Sequence, residues 1–273
     1  MMNENIKKLH KINIETLKEV LQVCDSFKLN YYMLGGTMLG AIRHKGFIPW
    51  DDDIDIGMPR AHYEKFLDIA PQHLNKRLKI RNFKTDPSYH YYITRVLDTN
   101  TKVIEIRHKH ENNYTHAAID IFPLDGTPNN KILRKIFIFR VMMHRAMMSL
   151  HYKDTIIINA NRNPFETLFL KLITKLPTEK IFNANKQKFI IDSLLKRYDM
   201  NTSYYSGNLM GAYRTKELFP TSVYGNKSYK FENINLRGIE DFDYYLSQLY
   251  GEYMKLPPEN QRKIHYELID LKP

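Results

Sequence analysis

Asp51, Asp53 and Asp55 recur at alternate positions of IPWDDDIDIGM, with Ile54 and Ile56 in the intervening phase. Side chains two apart in a strand share a face, so Asp53 and Asp55 project together while Ile54 and Ile56 point into a core. Asp51 falls in the same phase, at or just before the start of the strand. Two carboxylates held that close repel unless a cation neutralises them, and oxygen-only ligands select Mg²⁺ or a similarly hard ion. Ile119-Asp120-Ile121 repeats the pattern. If its strand neighbours the first, Asp120 completes a three-carboxylate site. Magnesium held this way keeps positions open for substrate phosphate, which suits phosphoryl chemistry.

The residues upstream supply the other half of such a site. YYMLGG reads as a short apolar strand ending in Gly35 and Gly36, and TMLGAIRHKG as a helix that Gly46 can stop. A strand that ends in glycines and opens a helix presents bare backbone N–H groups to an anion, here at Gly36 and Thr37. Arg43, His44 and Lys45 add further phosphate donors. Near the C-terminus, Arg262 and His265 would face the same way on a helix and could reach the donor phosphates or the acceptor. They read equally well as a surface arginine and a packing histidine. Trp50 reads as a packing residue, and Tyr250, Gly251, Pro257 and Pro258 as shapers of a turn.

Two plainer readings of the acidic run are weaker. A calcium loop would place glycine where Ile56 stands and glutamate where His62 stands. A solvated acidic turn would not need the strict aliphatic alternation.

The flanking pattern must position these groups. Ile6 to Phe27 has helical apolar spacing; YHYYITRVLD, TKVIEI and HAAIDIFPL read as strands. After Pro128 the pattern turns helical, in KILRKIFIFRVMMHRAMMSLHY, PFETLFLKLITKL and TEKIFNANKQKFIIDSLLKRYD. The 273 residues, 43% hydrophobic and 26% charged, can bury a substantial core, so neither a disordered chain nor a disulfide-stapled miniprotein is expected. A single cysteine, Cys24, excludes an internal disulfide and a cysteine-based zinc site. With no apolar run like a signal peptide or a spanning helix, a cytoplasmic protein is expected.

The net charge of +11 is uneven. Residues 127–199 hold 14 Lys and Arg against 5 Asp and Glu, while the remainder is nearly balanced. The excess suits an anionic partner. A nucleic-acid binder would interleave its basic residues with stacking aromatics, and no such arrangement occurs, so no nucleic-acid partner is expected.

GGTMLGAIRHKGFIPWDDDIDIGM, IDIFPLDG and LYGEYMKLPPENQRKIH together resemble the LicD family, whose members include bacterial phosphocholine transferases and whose domain is similar to that of fukutin and fukutin-related protein. The resemblance spans residues 1–127 and 205–265. It implies an α+β, nucleotidyltransferase-like fold: a mixed sheet with flanking helices. The catalytic domain would comprise 1–127 and 201–273, interrupted by a basic helical insert at 128–200. By position, Asp53 and Asp55 become the paired metal ligands and Asp120 the third carboxylate, which either ligates Mg²⁺ or takes the acceptor proton. The implied reaction moves phosphocholine or a related alcohol phosphate from a CDP-alcohol such as CDP-choline to a hydroxyl of a cell-envelope glycan (teichoic acid, capsule or lipopolysaccharide), releasing CMP. A competing enzyme reading attacks the α-phosphate of an NTP and releases pyrophosphate.

The insert lies beyond the resemblance. On its first helix Lys131, Arg134, Lys135 and Arg145 gather on one side, with Arg140 among the apolar residues. That layout suits docking to an anionic membrane, at the inner face of the plasma membrane, or to a phosphorylated, lipid-linked acceptor. It also suits a core helix with a solvated basic edge.

Overall fold

The computed structural model describes residues 4–106, 114–152, 177–262, 264 and 266–271. His265 and the helix expected over 164–176 lie outside them. The chain runs α1 (Glu4–Ser26), β1 (Tyr32–Met33), α2 (Gly35–Arg43), β2 (Ile54–Pro59), α3 (Arg60–His73), β3 (Leu78–Arg81), β4 (Thr94–Glu105) and β5 (Tyr114–Gly126). It continues through α4 (Lys131–His151), α5 (Thr178–Ile181), α6 (Ala184–Leu195), β6 (Tyr205–Gly207), β7 (Leu218–Pro220), β8 (Ser228–Phe231), β9 (Ile234–Arg237), α7 (Phe242–Tyr250) and β10 (Tyr266–Leu271). The result is the expected α+β class, built on a mixed sheet.

The sheet's main path is β1-β2-β5-β4-β10. β2 pairs parallel to β5, while β1, β4 and β10 join antiparallel. Apolar alternation explains the central pair: Ile54 registers with Ile119 and Ile56 with Ile121, all four fully buried, while Asp55 and Asp120 register with each other on the other face. Two expected strands, YHYYITRVLD and TKVIEI, merge into β4, with a register shift between Asp98 and Val103. Tyr89 and Tyr92 precede that strand and pack in a second apolar cluster. The last expected helix of the insert divides at Asn183, whose side chain caps α6 through the Lys186 N–H.

α1 packs Leu17, Val20 and Cys24 into the main core. Cys24 is wholly buried, and burial pushes its thiol up to about 12. The folded protein is therefore expected to resist thiol reagents near neutral pH and to react stoichiometrically once unfolded; rapid labelling of the folded protein would show α1 mispacked.

α4 forms where the sequence predicts it, turned differently. Phe137 and Val141 are buried against Ile191, Leu194 and Leu195 of α6 and against Leu209 and Met210. Two members of the expected basic docking side face the protein. Arg145 donates to the carbonyls of Leu209 and Gly211, both at 2.8 Å. Arg134 lies over the Tyr205 ring and bonds the carbonyls of Pro128 and Asn129. Their long stems pack while their guanidinium groups bond loop carbonyls, which a helical wheel does not reveal. Among the described residues, no helix is long and apolar enough to cross a membrane.

Candidate active site

Asp51, Asp52 and Asp53 lie in the segment just before β2, and their carboxylate oxygens come within 4.8 Å of one another. α1 holds this segment from behind: the Asp51 carbonyl accepts from His10 Nε2 at 2.6 Å, and the Asp52 carbonyl accepts from Asn13 Nδ2 at 2.9 Å. Burial lowers the His10 imidazole's proton affinity, so it serves as a neutral donor stacked on Phe47. The Asp52 carboxylate is structural, accepting the Tyr266 N–H at 2.6 Å.

Asp55 is the second residue of β2 and stands in register with Asp120 of β5. Burial raises the carboxyls of Asp51 and Asp55 well above the usual range, and the charge of Asp53 adds to both. Asp120 and Asp51 raise Asp55 further. Carboxyls so reluctant to ionise are a site that a cation would relieve. Asp120 has a partner already: Arg95, opposite it on β4, donates from Nε to Oδ1 at 2.9 Å, with Nη2 at 3.5 Å from Oδ2. Burial pushes the Asp120 carboxyl up and Arg95 pulls it down, the burial effect prevailing. Arg95 also donates to the Tyr266 hydroxyl at 2.8 Å, so β10 links Asp52 to the Asp120 pair. Nothing in the sequence pattern marked Arg95.

The glycine turn meets these carboxylates. Leu34 N–H donates to the Asp55 carbonyl at 3.0 Å, and Asp55 N–H donates to Thr37 Oγ1 at 2.8 Å. Gly35 has φ +48°, a conformation that favours glycine, and a Cβ there would sit 3.3 Å from Asp55 Oδ2. A Cβ on Gly36 would overlap Asp51 Oδ2. The glycines therefore admit the carboxylates to the start of α2. The first intrahelical bond runs from Met38 N–H to the Leu34 carbonyl, so the Gly36 and Thr37 amides belong to the turn that precedes the helical ladder.

Arg43 and His44 are at the other end of α2, ~10 Å along its axis from Gly36. Arg43 donates to the Tyr253 carbonyl at 2.7 Å, and its guanidinium is destabilised by burial and by Arg262. Arg262 lies over Trp50, 4.7 Å from the ring centroid, and His44 meets the same ring edge-on. Arg262 follows a short 3₁₀ turn (Glu259–Gln261) and precedes β10; the expected pairing of Arg262 with His265 lies outside the described residues. Trp50 does pack, as expected, but between the Arg262 guanidinium and the His44 imidazole, one residue from Asp51.

Sequence reasoning also missed an aromatic and acidic wall. Tyr245 Oη accepts the Gly35 N–H at 3.0 Å, and the hydroxyl of Tyr250, expected only to shape a turn, would stand 3.7 Å from a Cβ on Gly35. Glu217 accepts the Tyr213 N–H at 2.8 Å, its charge acts on Asp55, and burial pushes its carboxyl up from 4.5 to about 7. A lone glutamate in RTKELFP carries no signal of this.

Glu217's folded-state value lies above that of the unfolded chain, so the native state holds this proton more tightly. The burial cost is absent below pH 4.5 and complete above about 7. Glu217→Gln is thus expected to raise stability above about pH 8 by up to about 3 kcal/mol, fading to parity near pH 4.5. Thermal melts of both proteins across that range check it; a pH-independent difference would contradict it.

A family model described as LicD/FKTN/FKRP, nucleotidyltransferase domain, matches residues 28–172. That span contains the glycine turn, the aspartate segment and Asp120. Over 250 residues, 89% of each chain, the sequence is 29% identical to the lipopolysaccharide cholinephosphotransferase LicD of Haemophilus influenzae. It is 31% identical over 118 residues to an uncharacterized protein of Rickettsia typhi, covering 43% of this chain and 36% of that one. It is 43% identical over 44 residues to the human ribitol 5-phosphate transferase FKRP, covering 16% of this chain and 9% of that protein.

Proposed function

The chain belongs to the LicD/FKTN/FKRP family and is a phosphotransferase, and we propose that it moves an alcohol phosphate, phosphocholine or a close relative, from a CDP-alcohol to a hydroxyl of a cell-envelope glycan. The observation that carries this reading is the meeting of Asp51 and Asp55 with the Gly35-Gly36 turn, which sets half-buried carboxylates and backbone amides around one spot. The similarity to a lipopolysaccharide cholinephosphotransferase over most of both chains supports the alcohol and the glycan.

The donor set fits Mg²⁺: it is oxygen only, half-buried and mutually repelling, and the lack of a side chain at Gly36 lets the Asp51 carboxylate close on the turn. Asp53 and Asp55 would hold the ion, with Asp51 alongside. When bound, the ion supplies charge neutralisation to the donor diphosphate. The Gly36 and Thr37 amides hold phosphate oxygens at the start of α2. Arg262 and His44, which meet at Trp50, and Arg43 beside them meet the donor's remaining charge or the acceptor. In the transfer the acceptor oxygen bonds to the β-phosphorus, the bond from that phosphorus to the CMP oxygen breaks, and the hydroxyl proton passes to a carboxylate. Asp120 either takes that proton or joins the metal ligands, Arg95 fixing its orientation in both roles.

A donor panel of CDP-choline, CDP-ethanolamine, CDP-glycerol and CDP-ribitol with Mg²⁺, scored by CMP release with and without glycan, tests this. One donor should respond to glycan; no response to any would remove the reading. A second expectation concerns order in the site. Mg²⁺ and a CDP-alcohol together should raise the melting temperature by more than their separate shifts combined, because the ion is shared between protein and diphosphate. Purely additive shifts would argue against a common site.

A further inference from the structure

The outer face of α4 is apolar. Ile132 is 70% exposed, Leu133 56%, Ile136 52% and Phe139 68%. At roughly 100° per residue, Ile132, Ile136, Phe139 and Met143 fall within an arc of about 60°, bordered by Lys135 on one side and Arg140 on the other. Lys131 lies beyond Lys135, and Lys131, Lys135 and Arg140 are all exposed. The helix, KILRKIFIFRVMMHRAMMSLH, contains no acidic residue. Its opposite side is spent on the protein, through Phe137, Val141 and Arg145. Tyr204, 71% exposed, is held beside the helix start by its N–H to Asn129 Oδ1, at 2.6 Å.

We propose that this face docks the enzyme on an anionic lipid bilayer, with Ile132, Leu133, Ile136 and Phe139 at the depth of the acyl boundary and Lys131, Lys135 and Arg140 at the headgroups. An apolar arc edged with basic residues and free of acids matches an anionic interface in both solubility and charge. A tyrosine at the rim suits the same depth, with its ring in the apolar layer and its hydroxyl in the wet one. A second copy of the chain fits poorly, since a two-fold contact would press like charges together. The surface differs from the basic side that helical periodicity first suggests: Arg134 and Arg145 are structural, and the apolar residues face outward. The proposal does not depend on which phosphate is transferred.

Cosedimentation of the full chain with phosphatidylcholine vesicles, with and without phosphatidylglycerol, tests it. The parent should favour phosphatidylglycerol vesicles by about tenfold or more at low salt. Ile132→Ser/Ile136→Ser/Phe139→Ser should lower that binding by about tenfold or more with an unchanged melting temperature, since the replaced side chains are exposed. Lys131→Gln/Lys135→Gln/Arg140→Gln should erase most of the lipid preference. CMP release in the absence of vesicles should match the parent for both. Failure of the parent to bind phosphatidylglycerol vesicles would overturn the proposal, as would parental binding by the serine variant. A parental dimer that the serine variant dissolves would assign the face to a second copy instead.

Discussion

Asp55→Asn is expected to yield a folded protein whose turnover falls by about a thousandfold or more. The carboxylate stands where burial and the charges of Asp53, Asp120 and Asp51 all oppose its ionisation, so removing its charge relieves repulsion and costs the fold little. On the proposed function, the same change also withdraws a ligand from the ion that would neutralise the transferring phosphate. Loss of about 4 kcal/mol of transition-state stabilisation corresponds to that rate. Asp53→Asn should behave alike. Steady-state kinetics against Mg²⁺ concentration, with thermal melts of the same preparations, separates the two effects. Near-parental turnover by either variant would remove the carboxylates from the chemistry.

Arg60→Ala should have the largest effect on stability. Its guanidinium holds Asp125 through two bonds, at 2.7 and 2.6 Å, and Asp192 of α6 through a third at 3.0 Å. Tyr92 donates to the same Asp192 oxygen at 2.9 Å. Asp192 keeps Lys196 at 2.9 Å, but the buried Asp125 loses both of its bonds to Arg60, so the substitution strands that charge away from water, at a cost of about 3–5 kcal/mol. A melting temperature lower by about 10 °C or more is expected at this chain length. Arg60→Met with Asp125→Leu should recover part of the loss, because the stranded carboxylate goes with its partner. Arg81, paired with Asp86 at the surface at 2.8 Å, supplies the contrast: its removal should cost no more than about 1 kcal/mol. Equal losses at both positions would refute this account of the buried pair.

How far these features could be read beforehand depends on the range of the interaction behind them. Ile54, Ile56, Ile119 and Ile121 revealed two strands with aspartates on one side, because strand periodicity is local and the aliphatic alternation was unbroken. That these strands are neighbours was only a condition of the three-carboxylate site; their parallel pairing and the register of Asp55 with Asp120 depend on contacts about 65 residues apart that periodicity does not carry. Arg95 was invisible because its meaning comes from a strand 25 residues away that places it on Asp120. Asp125 belongs to the same motif as Asp120, yet it is an ion-pair partner of Arg60, which also holds Asp192, and no spacing within IDIFPLDG separates the two roles. α4 shows the limit most clearly. Its periodicity located the helix to within a residue, but which face lies inward was decided by partners, the carbonyls of Leu209 and Gly211, that come more than 60 residues later. Tyr245, Tyr250 and Glu217 reach the glycine turn from the C-terminal third in the same way.

The central claim is that one phosphate of the donor ends on the glycan. The direct measurement uses CDP-choline labelled at the phosphorus attached to choline, incubated with Mg²⁺, the enzyme and envelope glycan, followed by mass analysis of the glycan and of the released nucleotide. The account predicts that the label appears on the glycan together with choline, in equal amount to unlabelled CMP. Label left wholly in the nucleotide or in free phosphocholine, or a glycan modified only when an NTP is supplied and pyrophosphate is released, would contradict it.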